Sequence, residues 1–233
     1  DREVLEVPCN YTESQLLEGL SAYDQDDGDL TSKIVVGSMS RFINPGVCNV
    51  TYVVFDSSNH SASFTRKVRF SDYHAPRFNT SEPLVFTERE GNSTLLKERI
   101  IANDIIDGEI SESVINTSSD INYSVAGTYH STYEVSNSFG DTSTIELPVH
   151  IIKSENNQID IKLTQGIIYI NTGDTIDAAD YIESVTSAQG RTLHRVVKIE
   201  SNVDNATPGV YEIHYSASYS GTNGETWLTV VVQ

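Results

Sequence analysis

Short runs of alternating apolar and polar residues, rich in Val, Ile, Tyr and Thr, recur along the whole chain. Such runs suit a pleated sheet with one face buried. In the first third they predict strands at 4–7, 17–22, 33–37, 48–55 and 63–70. The second third predicts strands at 84–87, 95–102, 113–115, 128–136 and 142–152. The last predicts them at 159–163, 167–170, 181–185, 196–200, 210–219 and 226–232. Thr12 and Gln15 stand at capping-box spacing and predict a short helical turn. The expected class is all-β.

One string occurs three times and sets the organisation. It reads Pro45-Gly46-Val47-Cys48-Asn49-Val50-Thr51-Tyr52, then Ala126-Gly127-Thr128-Tyr129-His130-Ser131-Thr132-Tyr133, then Pro208-Gly209-Val210-Tyr211-Glu212-Ile213-His214-Tyr215. A strand signature recurring at such a period indicates tandem small β domains. Boundaries are expected at 1–72, 73–153 and 154–233, with linkers around Ala75-Pro76 and Asn156-Asn157. Domains of this size stand near the lower limit for an unassisted core, and none has room for a large catalytic cleft.

The formal net charge is −18, and each third carries its share of the acid excess. Such a surface repels nucleic acid and anionic membranes, and no apolar run is long enough to span a bilayer. Neither nucleic acid nor direct membrane insertion is expected. The chain opens at Asp1 and reads as part of a longer, exported protein.

Cys9 and Cys48, the two cysteines, both fall in the first third. Cys48 alternates in phase with Val50 and Tyr52, while Cys9 ends the first strand-like run. A disulfide between first and penultimate strands is expected, with two buried thiols as the alternative.

Further residues carry a family resemblance: Ala22-Tyr23-Asp24-Gln25-Asp26-Asp27-Gly28-Asp29-Leu30-Thr31, Pro45-Gly46, Val50 to Ser57, and Ala75-Pro76. Ala102-Asn103-Asp104-Ile105-Ile106-Asp107-Gly108-Glu109-Ile110 repeats the first of them. The chain resembles the bacterial immunoglobulin-like repeats of cell-surface and secreted proteins, mainly Gram-positive, which also occur beside some insecticidal crystal toxins. The resemblance implies three tandem immunoglobulin-like β-sandwich domains in an elongated arrangement. It also implies an extracellular place, as stalk, spacer or adhesive module for a protein or glycan ligand at the cell surface.

The acidic turns are the most chemical-looking feature. Asp24, Asp26, Asp27 and Asp29 crowd one turn, and Asp104, Asp107 and Glu109 occupy its counterpart. Closely spaced carboxylates around a glycine can supply oxygens to calcium, although the spacing is not that of an EF-hand. The other reading is a structural turn in which Asp bonds local N–H groups. Gln189-Gly190-Arg191 stands at the matching place in the last third, so the turn forms without acids, which favours the structural reading.

Tyr52, Tyr133 and Tyr215 read as core, and Trp227 alone signals nothing. Eight Asn-x-Ser/Thr triplets would matter only in a eukaryotic export route. No nucleophile elbow, phosphate loop or metal quartet appears, and His60, His74, His130, His150, His194 and His214 are scattered. The expected function is therefore a non-enzymatic extracellular spacer or adhesion region of a larger protein. The alternative is an accessory carbohydrate-binding region of a secreted glycan-degrading enzyme.

Overall fold

The computed structural model describes residues 4–193 and 196–233, so His194 lies outside the described residues. The protein is all-β. In the first third the strands are β1 (Leu5–Val7), β2 (Tyr23–Asp24), β3 (Gly28–Asp29), β4 (Val35–Met39), β5 (Val47–Phe55) and β6 (Ser61–Phe70). One sheet runs β1-β6-β5-β4, and β2 pairs with β3.

The second third holds β7 (Arg77–Thr80), β8 (Val85–Thr87), β9 (Ile100–Asp104), β10 (Gly108–Glu109), β11 (Ile115–Ser119), β12 (Gly127–Ser136) and β13 (Thr142–Ile152). These form two sheets, β10-β9-β7 and β11-β12-β13-β8. The last third holds β14 (Ile159–Leu163), β15 (Ile167–Ile170), β16 (Ile182–Ser187), β17 (Val197–Ser201), β18 (Gly209–Tyr219) and β19 (Thr222–Val232). Its sheets are β14-β16 and β15-β19-β18-β17.

The repeated string explains the shared plan. Each copy opens a long strand, β5, β12 or β18, that lies beside the strand following it. Alternation along β5 buries Cys48, Val50 and Tyr52, and along β18 it buries Ile213, Tyr215 and Ala217. A short strand then joins the last long one in parallel: Leu5 opposite Val68, Val85 opposite His150, Ile167 opposite Thr229.

Three sequence expectations fail locally. The strand expected at 113–115 begins only at Ile115, after a 3-10 turn over Ser111–Ser113. Residues 95–102 are not one strand, because α2 (Ser93–Arg99) precedes β9. The Asn92 side chain accepts from the N–H groups of Thr94 and Leu95, satisfying first-turn donors, and Leu, Lys, Glu and Arg are good helix formers. Residues 17–22 form no strand either. They follow the short α1 (Glu13–Leu16), which Thr12 and Gln15 cap as a box, and pairing begins only at Tyr23.

The chain divides into two compact units. The first takes in Asp1–Pro76, Asp104–Gly108 and Ser136–Ser143; the second takes in Arg77–Asn103, Glu109–Val135 and Thr144–Gln233. Unit 1 has one cluster of buried apolar residues, around Val50, Tyr52, Val68 and Phe70. Unit 2 has two, one around Phe78, Leu147 and Val149, the other around Ile213, Leu228 and Val230.

Candidate functional site

The acidic turns are built alike. Oδ1 of Asp24 accepts the N–H groups of Asp26 and Asp27 at 2.8 and 3.0 Å. Oδ1 of Asp104 does the same for Ile106 and Asp107 at 2.9 and 3.0 Å. Gly28 and Gly108 then each take φ +74°, a conformation that other side chains resist.

The next carboxylate reaches across to a hairpin turn. Asp27 accepts the N–H and hydroxyl of Ser57 at 2.5 and 2.8 Å, and Asp107 accepts those of Ser138 at 2.6 and 2.7 Å. The backbone bond from Ser57 leads the groups that hold the Asp27 carboxyl below its usual range. Asp29 binds the Thr31 N–H at 2.8 Å and is lowered by its bonds to Thr31, while Glu109 accepts from the Ser111 hydroxyl.

Asp26 makes no such turn bond among the described residues. The other acids of the two turns bond backbone N–H groups or serine hydroxyls. Among the described residues no group of three or more His, Cys, Asp or Glu side chains is arranged to hold a metal ion.

Asp104 differs from Asp24 in one respect. It is buried, at 4% exposure, and its Oδ2 accepts Asn137 Nδ2 at 3.1 Å. Asn137 Nδ2 also donates to the Tyr73 hydroxyl, which donates to Asp141 at 2.6 Å. Phe42 stacks on Phe139 at 4.7 Å and meets Tyr73 edge-on at 4.8 Å. These residues all belong to unit 1 and form its polar and aromatic floor.

The expected Cys9–Cys48 disulfide is corrected: both thiols are free and buried in one core cluster. The reason is topological. β6 lies between β1 and β5, so the cysteine-bearing segments are not neighbours. Cys9 itself lies in the turn past the end of β1, where its N–H is held by the Asp72 carboxylate at 2.7 Å, and not on a strand beside β5. Titrating both thiols with an aromatic disulfide reagent in denaturant, without reductant, is expected to count two per chain. A count near zero would restore the bridge.

Burial pushes the Cys48 thiol up to about 11, and burial with the Asp72 carboxylate pushes Cys9 up to about 12. Burial also raises the phenols of Tyr73 and Tyr215. Ordinary values are ~8.5 for a thiol and ~10 for a phenol. Raised groups stabilise the fold fully below those values, and the contribution is lost as pH climbs through the folded ones. The melting temperature is therefore expected to hold from pH 7 to about 8.5 and fall steeply by pH 11. A flat profile to pH 11 would contradict this.

Sequence reasoning missed a stack in unit 2. The ring of His150 lies 3.9 Å from Trp227 and 6° from parallel, and that of His214 lies 4.4 Å away at 18°. Two imidazoles that close and parallel must take opposite faces of one indole. His150 bonds Glu212 at 2.5 Å and the Thr128 hydroxyl at 3.1 Å; His214 lies 3.3 Å from Glu225. The register pairing Glu200 with His214 and His214 with Trp227 arises only when β17, β18 and β19 assemble. Only the phase of His214 within β18 was legible beforehand.

A seam also runs inside unit 2. The Tyr169 hydroxyl accepts the Phe78 N–H at 2.9 Å and donates to the Phe78 carbonyl at 3.0 Å. The Arg77 guanidinium lies 5.0 Å over the Tyr169 ring. Gly166 passes so near Thr80 that an added Cβ would stand 1.9 Å from its hydroxyl.

Comparison with known proteins found no matching family model. The chain is 32% identical over 221 residues to pesticidal crystal protein Cry22Aa of Bacillus thuringiensis, covering 91% of this chain and 29% of that protein. It is 31% identical over 139 residues to an uncharacterized 81.3 kDa protein of Acholeplasma phage L2, covering 57% and 18%. The chain thus spans less than a third of either relative.

Among solved structures, the Clostridium perfringens ZmpB M60 catalytic domain with two CBM51 domains aligns with a TM-score of 0.28 at 13% identity, over 88% of this chain and 28% of that one. The protocadherin gamma B4 extracellular domain gives 0.25 at 12%, over 99% and 48%. Scores this low carry no argument. The sequence comparisons establish a likeness of nearly the whole chain to part of a larger crystal protein.

Proposed function

We propose that this chain is a non-enzymatic, extracellular region of a larger protein, made of three tandem immunoglobulin-like sandwiches and acting as a spacer and adhesion module. The observation that carries the reading is the seam inside unit 2. There one tyrosine hydroxyl satisfies both backbone groups of Phe78, under a guanidinium and beside a glycine that admits close approach. A spacer sets distance only if successive modules keep their orientation, and the doubly bonded Tyr169 hydroxyl favours that. At the same seam Arg77 Nε and the Thr80 hydroxyl lie buried without a hydrogen-bond partner among the described residues. The likeness to a segment of a pesticidal crystal protein supports an accessory place in a longer chain.

The glycan-binding alternative loses its most suitable aromatic, since Trp227 has an imidazole on each face. Among the described residues no helix is long and apolar enough to cross a membrane.

Residual dipolar couplings test the spacer. Couplings from 77–152 outside the unit 1 segments and from 159–232 should fit one alignment tensor. Tyr169→Phe removes the hydroxyl, leaves the Phe78 groups unpaired at a cost of about 1–3 kcal/mol, and should separate the tensors. Separate tensors in the unaltered chain would overturn the spacer. Retention of the chain on immobilised polysaccharide would favour the alternative.

A further inference from the structure

The three four-stranded sheets end alike, on β4, β11 and β17. An edge strand presents unpaired N–H and C=O groups to any further strand, and a bulge is one way to spoil that template. β4 carries a bulge between Val36 and Ser38, and β11 carries one between Asn116 and Ser118. β17 has none. It pairs with β18 without a break, from Val197 opposite Ala217 to Ser201 opposite Ile213. Among the described residues no strand pairs with its other side.

The phase of that free side follows from the ladder. Just past the end of β17 the Asn202 N–H donates to the Glu212 carbonyl at 3.2 Å. Bonded positions alternate in an antiparallel pair, so Glu200 and Lys198 also turn their backbone groups to β18. Val197, Ile199 and Ser201 turn theirs outward. The side chains alternate in the same phase. Ile199 lies opposite Tyr215, on the face of the core, and stays 36% exposed at its rim. Lys198 and Glu200 stand on the other face, both more than half exposed, and bond each other at 2.8 Å.

We propose that β17 is the contact of a homodimer, in which β17 of a second copy lies antiparallel to it with Ile199 opposite Ile199 on the two-fold axis. The charges of the strand select that occupant, because a lysine stands just before Ile199 and a glutamate just after it. Antiparallel pairing about this axis sets Lys198 directly opposite Glu200 of the second copy, and the reverse. Such non-hydrogen-bonded neighbours have Cα atoms about 4.5 Å apart, close enough for opposite charges to attract. The outward groups of Ile199 exchange both bonds across the axis, and those of Val197 meet those of Ser201. The two exposed Ile199 side chains cover one another. Each chain carries −18 and repels its copy. At physiological ionic strength the screening length is about 8 Å, so charges far from the edge count little, and those on β17 attract. β4 and β11 carry no charged residue, so neither offers this match. β17 is the opposite edge of its sheet from β15, which carries the Tyr169 seam, and the pairing does not rest on the spacer reading.

Sedimentation velocity of the whole chain at physiological ionic strength tests the pairing. The mean mass is expected to rise from monomer toward dimer over about 10 μM to 1 mM, the weak range of an interface at the small end of the size classes. Lys198→Glu and Glu200→Lys each set like charges opposite one another at both symmetry-related places. Either alone should weaken the dimer about tenfold. Mixed together, the two variants place Glu opposite Lys throughout and should form a heterodimer as tight as the unaltered homodimer. Both residues are exposed, so neither substitution disturbs the core. A chain that stays monomeric across the whole concentration range would overturn the proposal. So would a dimer indifferent to both substitutions, which would place the contact elsewhere. Failure of the two variants to associate when mixed would overturn it as well.

Discussion

Phe78→Ala is expected to destabilise unit 2 by about 3–5 kcal/mol, the range for truncating a fully buried phenylalanine. Phe78 is 2% exposed and packs among Leu84, Ile100, Ala102 and Leu147 of its cluster. It is the sole buried apolar residue that β7 contributes, so truncation removes the anchor of a whole strand. The backbone groups of the same residue meet the Tyr169 hydroxyl, so loosening β7 also loosens the seam. Trp227 is the single tryptophan and belongs to unit 2, which makes its fluorescence a selective probe. Denaturant unfolding followed at Trp227 should show a midpoint lowered in proportion, with the Ile101 and Asn103 amides, which face β7, losing protection. A loss below ~1 kcal/mol would mean that the sheet closes without its anchor.

Much of the fold was legible because its signal is local. The string around Gly46, Gly127 and Gly209 places β5, β12 and β18 within a residue or two, since alternation alone decides which face is buried. β7 was not legible. Arg77-Phe78-Asn79-Thr80 holds one apolar residue, and only the edge of β9 makes it a strand. α2 was missed for the opposite reason: its apolar Leu95 and Leu96 suit either structure, and the Asn92 cap decides. The disulfide failed on strand order, which no pairwise spacing reveals, because β6 returns between the two segments. In the acidic turns the residue types were visible, but the partners of Asp27 and Asp107, Ser57 and Ser138, lie about thirty positions away on another hairpin.

The same turns give the last result expected. Asp104→Ala should destabilise unit 1 by about 3 kcal/mol, and Asp24→Ala by only about 1 kcal/mol. Both carboxylates accept two local N–H groups. Asp24 is half-buried, so water can replace it. Asp104 is buried and also takes Asn137 Nδ2, so its loss leaves three donors facing apolar surroundings. Asn137 would then hold Tyr73 and Asp141 without its own anchor, spreading the damage to the floor around Phe42. Asp104→Asn should fall between, because its Oδ1 can still accept the two backbone N–H groups while its amide opposes that of Asn137. Calorimetry of the whole chain would show the shift, with Trp227 fluorescence as the control on unit 2. Calcium added to the unaltered chain should leave the melting temperature unchanged, since Asp27 and Asp107 are engaged with N–H and hydroxyl donors and no three acids are grouped around one point among the described residues. Equal costs at Asp24 and Asp104 would show that burial does not govern these turns. A calcium-dependent rise that Asp27→Asn abolishes would show that they take a metal after all.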